Sequence, residues 1–344
     1  MRLRIRWVLP AICACTRTPA PPPPAASATT SASPPTLEAA APPVHPERAF
    51  ALPPDAACND DLRCLVDHAY ASDEKTRALA LALFDATGDV AGTEHEQTMD
   101  GGFRGTLHIY PALPTGEARV QLERVVAAAR DFDRFFAELR AKDAAAAPKG
   151  APYRWRDLTF RFFRSASGPA GHEVPRTTPS AYADGPEPMP HDASDPIAFS
   201  LAYNVKGSLL GTETGVRETV FHEVFHMNDA AHEDWSSRAL RADYAAILAR
   251  CGAMNVACLQ PYAPNDTKVR GGTYYAFEPN NGLSVREYAA ELALRWYKEQ
   301  RAVLGGERSP LGGRAFKCGP PENKRSWDAL VKEFFAIDLV PPCP

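Results

Sequence analysis

A chain of 344 residues with 45% hydrophobic and 23% charged side chains has the makeup of an ordinary globular protein. A net charge of -4 and the want of any Lys/Arg-rich run exclude the basic footprint of a nucleic-acid binder. The length leaves room for two domains, but the N-terminal stretch cannot supply one.

Met1 to Arg6 is basic and Trp7 to Ala14 is a short apolar run, so residues 1–15 have the shape of an export signal. The run is far too short to cross a bilayer. Cys15, after Ile12-Cys13-Ala14, resembles a bacterial lipoprotein processing site, although Cys13 stands where a small residue is usual and Pro10 interrupts the run. The expectation is an exported protein: a lipoprotein of the outer membrane or cell surface acylated at Cys15, or a secreted or periplasmic chain. Membrane contact is expected only through that anchor. Residues 16–57 hold twelve of the 33 prolines with almost no large apolar side chains, which predicts a disordered, semi-extended tether.

Residues 58–98 read as a small helical segment and residues 99–344 as the main domain. Asp61 to Tyr70 is one short helix; Ser72 can cap a second through Arg77–Phe84, ended near Gly88. Thr106–Tyr110 is a predicted strand. Gly116 to Lys142 is a long amphipathic helix with Val125, Phe132, Phe136 and Leu139 on its apolar stripe. Leu158–Arg164 has an aromatic-rich strand signature. Residues 165–195 read as a Pro/Gly/Ser-rich loop with solvated His172 and His191. Ile197–Val205 is a further strand, placed where it would form the edge of a cleft and accept an extended peptide by strand addition. Helices follow at Trp235–Arg250, from Ser284 through Tyr297 with a Ser284/Glu287 capping-box pattern, and at Trp327–Ile337.

Setting aside Cys13 and Cys15, six cysteines remain: Cys58, Cys64, Cys251, Cys258, Cys318 and Cys343. They fall into three sequence-local pairs, and an even number suits an oxidising compartment. Pairing between neighbours is a guess from proximity among fifteen connectivities.

Between the last strand and the Trp235 helix lies Phe221-His222-Glu223-Val224-Phe225-His226-Met227-Asn228-Asp229, with Val216, Val220, Val224 and Met227 at helical spacing. Residues four apart stand one above the other on a helix, so His222 and His226 present two imidazoles to one point. Two corners of a zinc site are thereby expected, with Glu223 beside the ion, able to take a proton from an activated water. A catalytic zinc has three protein ligands and an open position. Glu287 and Glu291 share one face of the Ser284 helix. One could bind the ion while the other fixes a ligand histidine.

These motifs resemble the catalytic domain of anthrax lethal factor and its relatives, which include secreted Pro-Pro endopeptidases. That family carries His-Glu-x-Gly-His followed closely by Asp, then Glu-Phe-x-Ala-Glu on a later helix; here stand His222-Glu-Val-Phe-His226, Asp229, and Glu287-Tyr-Ala-Ala-Glu291. The resemblance covers about residues 197–340. It implies an α+β, zincin-like (gluzincin-like) fold: a small twisted sheet, the metal helix at the cleft floor, and a helical C-terminal part. It implies Glu287 as third ligand, Glu291 and Asp229 supporting the ligands, and a tyrosine for the oxyanion, Tyr274 or Tyr275, of which Tyr275 is the expectation. One catalytic Zn2+, a peptide or protein substrate and a monomer are the matching expectations. Two departures stand out: Phe225 replaces glycine, which would make the cleft floor bulkier, and the tyrosine-to-glutamate spacing is longer.

Three rivals remain. His232, six residues after His226, gives a metzincin-like ligand pattern with Met254 downstream, but Asp229 stands where metzincins place the glycine of their turn. An aspzincin-like reading of Gly272–Phe277 lacks an aspartate ligand. A surface-tethered binding module with structural or lost zinc would close its site with His232 as fourth ligand and would have no use for Glu223.

Overall fold

A computed structural model of the chain describes residues 51–59, 61–100, 106–150, 152–168, 174–176, 180–184, 199–269, 272–279, 284–307, 311 and 313–344. Residues 1–50, which include Cys15 and most of the tether, lie outside the described residues, as do His172 and His191. Ordered packing begins earlier than expected. Ala51 and Leu52 are buried, and the Thr93 N–H donates to the Ala51 carbonyl at 2.6 Å, so the last residues assigned to the tether belong to the folded part.

Two helices open it. α1 (Leu62–Ala69) is capped by Asp61, whose side chain accepts from the Cys64 N–H. α2 (Glu74–Thr87) is capped by Asp73 rather than Ser72 and stops at Gly88, which adopts the left-handed conformation of a helix C-cap. Then come β1 (Val90–Thr93), β2 (Gln97–Asp100), β3 (Thr106–Pro111), helix α3 (Arg119–Lys142), β4 (Leu158–Ser167), β5 (Val174–Arg176), β6 (Ala181–Asp184) and β7 (Phe199–Asn204). They form one mixed seven-stranded sheet. β4 is its spine: parallel to β1 and β7 along its first half, antiparallel to β3 and β5 along its second. Since β1 enters this sheet, the division at residue 98 is not a structural boundary.

Alternation along β4 sorts the faces. Leu158, Phe160 and Phe162, with Leu201 and Tyr203 of β7, join the large core under the helices. Phe163 points the other way, into a small cluster with Leu107, Ile109 and Ala202. β6 pairs antiparallel with β7 and lies outermost, while β7 is sandwiched between β4 and β6. The strand expected at the cleft edge is thus interior. The edge belongs to β6, inside the stretch expected as loop, because Ala181–Asp184 covers the flank that β7 would otherwise expose.

The helical side holds α4 (Glu213–Ala231), α5 (Trp235–Ala239), α6 (Arg241–Cys251), α7 (Val256–Leu259), α8 (Ser284–Leu304) and α9 (Pro321–Leu330), the last running into a π-helical turn at Val331–Phe335. The final helix therefore starts six residues earlier than its apolar pattern suggested, with Pro321 in its first turn. α4 begins on Thr212, whose hydroxyl accepts the Gly215 N–H. A Cβ on Gly215 would stand 2.1 Å from the Leu209 carbonyl oxygen, so only glycine lets that turn close onto the helix.

α3, α4 and α8 are joined by rings. Phe221 of α4 stacks on Tyr297 of α8 at 4.4 Å, and both meet Phe132 of α3 edge-on at 5.7 Å. Buried Asp131 accepts from the Tyr297 hydroxyl at 2.6 Å and from Arg134 and Arg301 at 2.8 and 3.2 Å. This knot fixes how α4 and α8 lie against each other. Three disulfides, Cys58–Cys64, Cys251–Cys258 and Cys318–Cys343, complete an α+β architecture. No helix among the described residues is long and apolar enough to cross a membrane.

Candidate metal centre

α4 carries His222 and His226 on one face, four residues apart, and α8 brings Glu287 to them. The His222 and His226 Nε2 atoms are 3.1 Å apart; Glu287 Oε2 is 3.1 Å from the first and 3.5 Å from the second. Donors at about 2.0–2.1 Å from a tetrahedral ion stand roughly 3.3 Å from one another. The triangle therefore fits a small divalent cation without rearrangement, and two imidazoles with one carboxylate match the donor set of catalytic zinc sites. Glu287 stands in the first turn of α8, and its carboxylate reaches both histidines.

The electrostatics agree with a paired cluster. Burial pushes the His222 imidazole pKa down, but hydrogen bonds to Glu287 and Glu291 and the charges of Glu287 and Glu223 carry it well above the ordinary value. Burial likewise pushes the Glu287 carboxyl up, and the two histidines outweigh it and hold it far below the carboxylate range.

Behind the triangle, Glu291 Oε1 lies 3.4 Å from His222 Nδ1. Its other oxygen accepts from the Asn265 side-chain amide at 2.9 Å, and the same amide donates to the Glu291 carbonyl at 2.8 Å. Glu291 is thus positioned to fix the His222 ring, and Asn265 to fix Glu291. Asn265 sits in a Pro264-Asn265-Asp266 turn with no periodic signal, so the sequence alone did not single it out.

Glu223 stands one residue beyond His222. Its Oε2 accepts the backbone N–H of Ala183 at 2.9 Å. That N–H points away from the ladder to β7, so the β6 edge faces the side chain next to the triangle. The Ala-Tyr-Ala-Asp alternation between Pro179 and Gly185 was a readable, if short, strand signal.

Of the two tyrosines, Tyr275 joins the site: its ring lies 5.8 Å from that of His222 and its hydroxyl interacts with Glu287. Burial first, then the charges of Glu287 and Glu223, raise its pKa far above the ordinary tyrosine value. Tyr274 turns away and is buried, with the Lys268 ammonium 5.1 Å over its ring. Asp229 also has different partners than the resemblance implies. Its two oxygens accept the Ser236 N–H and hydroxyl at 2.7 and 2.6 Å, so its hydrogen bonds fasten the start of α5, while His226 acts on it only through charge. Burial raises its pKa. Phe225 is fully buried against Phe334, ring centroids 5.2 Å apart, and adds no bulk to the cleft floor.

His232 stands apart from the triangle. It follows the end of α4, with Nδ1 3.1 Å from Glu333 Oε1 and its ring 4.5 Å from Phe334. Gly150 seals this pair: a Cβ there would lie 2.6 Å from both the glutamate oxygen and the imidazole. The metzincin pattern and the closed four-ligand site both needed His232 at the ion, and the helix end carries it into the core. Met254 is exposed, within the loop closed by Cys251–Cys258.

None of the family models, curated proteins or solved structures compared with the chain matches it.

Proposed function

We propose that the chain is an exported zinc metallopeptidase that hydrolyses peptide bonds and is tethered by its N-terminal segment. The observation that carries this reading is the His222–His226–Glu287 triangle with Glu223 beside it and the β6 edge alongside. A purely structural metal site has no use for a carboxylate held next to the ion but outside its ligand set.

When bound, zinc would supply Lewis acidity toward the substrate carbonyl and acidify a water. Glu223 takes the proton of the attacking water and passes it to the leaving amine nitrogen. Tyr275, kept protonated at neutral pH by burial and its carboxylate neighbours, donates a hydrogen bond to the carbonyl oxygen as charge develops there. Glu291, held by Asn265, keeps the His222 ring turned to the ion. An extended peptide can add to the β6 edge, which brings its backbone within reach of Glu223. The export signal and three sequence-local disulfides support an oxidising compartment.

The test pairs two variants of the purified chain. Glu223→Gln is expected to keep one equivalent of zinc while cleavage of a mixed peptide library falls by at least about a hundredfold. Glu287→Ala is expected to lose both. Cleavage by Glu223→Gln at the wild-type rate would overturn the mechanism, and a wild-type chain that binds no zinc would overturn the function.

A further inference from the structure

The Cys58–Cys64 disulfide has ligating company. Cys64 and His68 are four residues apart on α1 and so share a face of the helix. Cys58 Sγ lies 3.6 Å from His68 Nδ1, and Asp55 Oδ2 lies 2.7 Å from the same nitrogen. The two sulfurs and the imidazole nitrogen all fall within 4.8 Å of one another. Among the described residues, neither of the other two disulfides gathers a third ligating side chain in this way.

We propose that Cys58, Cys64, His68 and Asp55 form a second metal site, filled by a borderline-soft divalent cation such as Zn2+ when this disulfide is reduced. For a tetrahedral ion with bonds of about 2.3 Å to sulfur and 2.0 Å to nitrogen, sulfur and nitrogen stand roughly 3.5 Å apart. The observed separation of Cys58 Sγ and His68 Nδ1 is 3.6 Å. Once their bond is gone the sulfurs must part to about 3.8 Å, and Asp55 Oδ2, now 2.7 Å from His68 Nδ1, must draw back to roughly 3.3 Å as their hydrogen bond gives way to the cation. Asp55 supplies the fourth donor. Its other oxygen, Oδ1, accepts the Ala57 N–H at 2.9 Å, which holds the carboxylate facing His68. A metal can reach the site, because the His68 and Asp55 side chains are 45% and 38% exposed.

The chemistry balances simply. A dithiol reductant passes two electrons and two protons to the disulfide, becoming a disulfide itself and leaving two thiols. Binding of the cation releases those two protons and leaves two thiolates, one imidazole and one carboxylate around it. The outcome is a clasp that joins the 51–59 segment to α1 in either redox state, covalent when oxidised and coordinate when reduced. It is independent of the His222 centre in residues and in donor type.

The experiment is an anaerobic Co2+ titration of the full chain before and after reduction by a water-soluble phosphine, which does not itself compete as a thiol. Thiolate ligation gives a near-ultraviolet charge-transfer band that a site of two histidines and a glutamate cannot give. Reduction is expected to add one Co2+ equivalent per chain together with that band. His68→Ala, which keeps the disulfide and hence the oxidised fold, is expected to weaken the added equivalent by at least about tenfold. The Cys58→Ser/Cys64→Ser chain is expected to lose it. No added equivalent on reduction, or an added equivalent of unchanged affinity in either variant, overturns the site. Because the readout is the difference between reduced and oxidised chains, it holds whether or not the His222 centre binds metal.

Discussion

Replacing Asp229 with alanine separates two roles that the sequence leaves together. The carboxylate receives two short hydrogen bonds from Ser236, at 2.7 and 2.6 Å. Hydrogen bonds to a charged partner are each worth about 1.5–3 kcal/mol net, which suggests about 3–6 kcal/mol for the pair. Desolvation offsets part of this, since Asp229 is buried and its pKa is raised for that reason. In the alanine variant the Ser236 N–H is left without its acceptor at a position 0% exposed, which costs about 1–3 kcal/mol by itself. We expect Asp229→Ala to lower the free energy of unfolding by about 2–4 kcal/mol, and Asp229→Asn by about 1 kcal/mol, because the amide oxygen still accepts. Urea unfolding with the disulfides intact measures both. Zinc affinity, read by competition with a chromophoric chelator, is expected to stay within about twofold, whereas loss of a group that orients a ligand costs roughly 10–100-fold. The sign with pH follows from the raised folded-state pKa: the protonated form favours the folded state, so that contribution is present at low pH and lost as pH rises through the folded pKa. The stability gap between wild type and Asp229→Asn should therefore widen as pH is lowered toward the ordinary aspartate value. A tenfold loss of zinc affinity without loss of stability would refute the assignment of Asp229 to α5.

Tyr275→Phe is expected to reduce kcat by about 10²–10³-fold with KM little changed, while Tyr274→Phe leaves both near wild type; the reverse order in a peptide-cleavage assay would move the oxyanion donor. His232→Ala leaves the partly buried Glu333 carboxylate without its partner and should cost about 1–3 kcal/mol in urea unfolding, with one zinc still bound per chain. Loss of that zinc would restore His232 as a ligand. Ala183→Pro deletes the N–H that reaches Glu223 and spares the ladder to β7, an edge placement that proline tolerates. It should raise KM for extended peptides at least several-fold with zinc content unchanged, and an unchanged KM would remove β6 from the substrate path.

What the sequence made legible was whatever repeats at a fixed short interval. The 3.6-residue period of α3, α4 and α8 is carried by large apolar side chains, and the four-residue spacing of His222 and His226 is itself a geometric statement on a helix. Glu287 could not be chosen over Glu291 by spacing, since both share a face; only the packing of α8 on α4 decides which carboxylate reaches the Nε2 atoms. β1 escaped because it is four mostly small residues, and what makes it a strand is pairing with β4 far away in sequence; β6 carries a short readable alternation, masked by the Pro/Gly/Ser-rich stretch around it. Asp229 misled for a related reason. A carboxylate three residues past His226 faces whichever donor the next turn offers, and here that turn presents Ser236.

The disulfides close loops with sequence separations of 6, 7 and 25. Short loops meet their ends fastest and at the least entropic cost. Each bridge can therefore form as its own stretch of chain becomes available, before the sheet or the α4–α8 contact exists, and the neighbour pairing is also the one reached first. Oxidative refolding should pass through few scrambled species. The slow step then falls to the long-range strand pairing of β1 and β7 with β4, not to the reshuffling of sulfur.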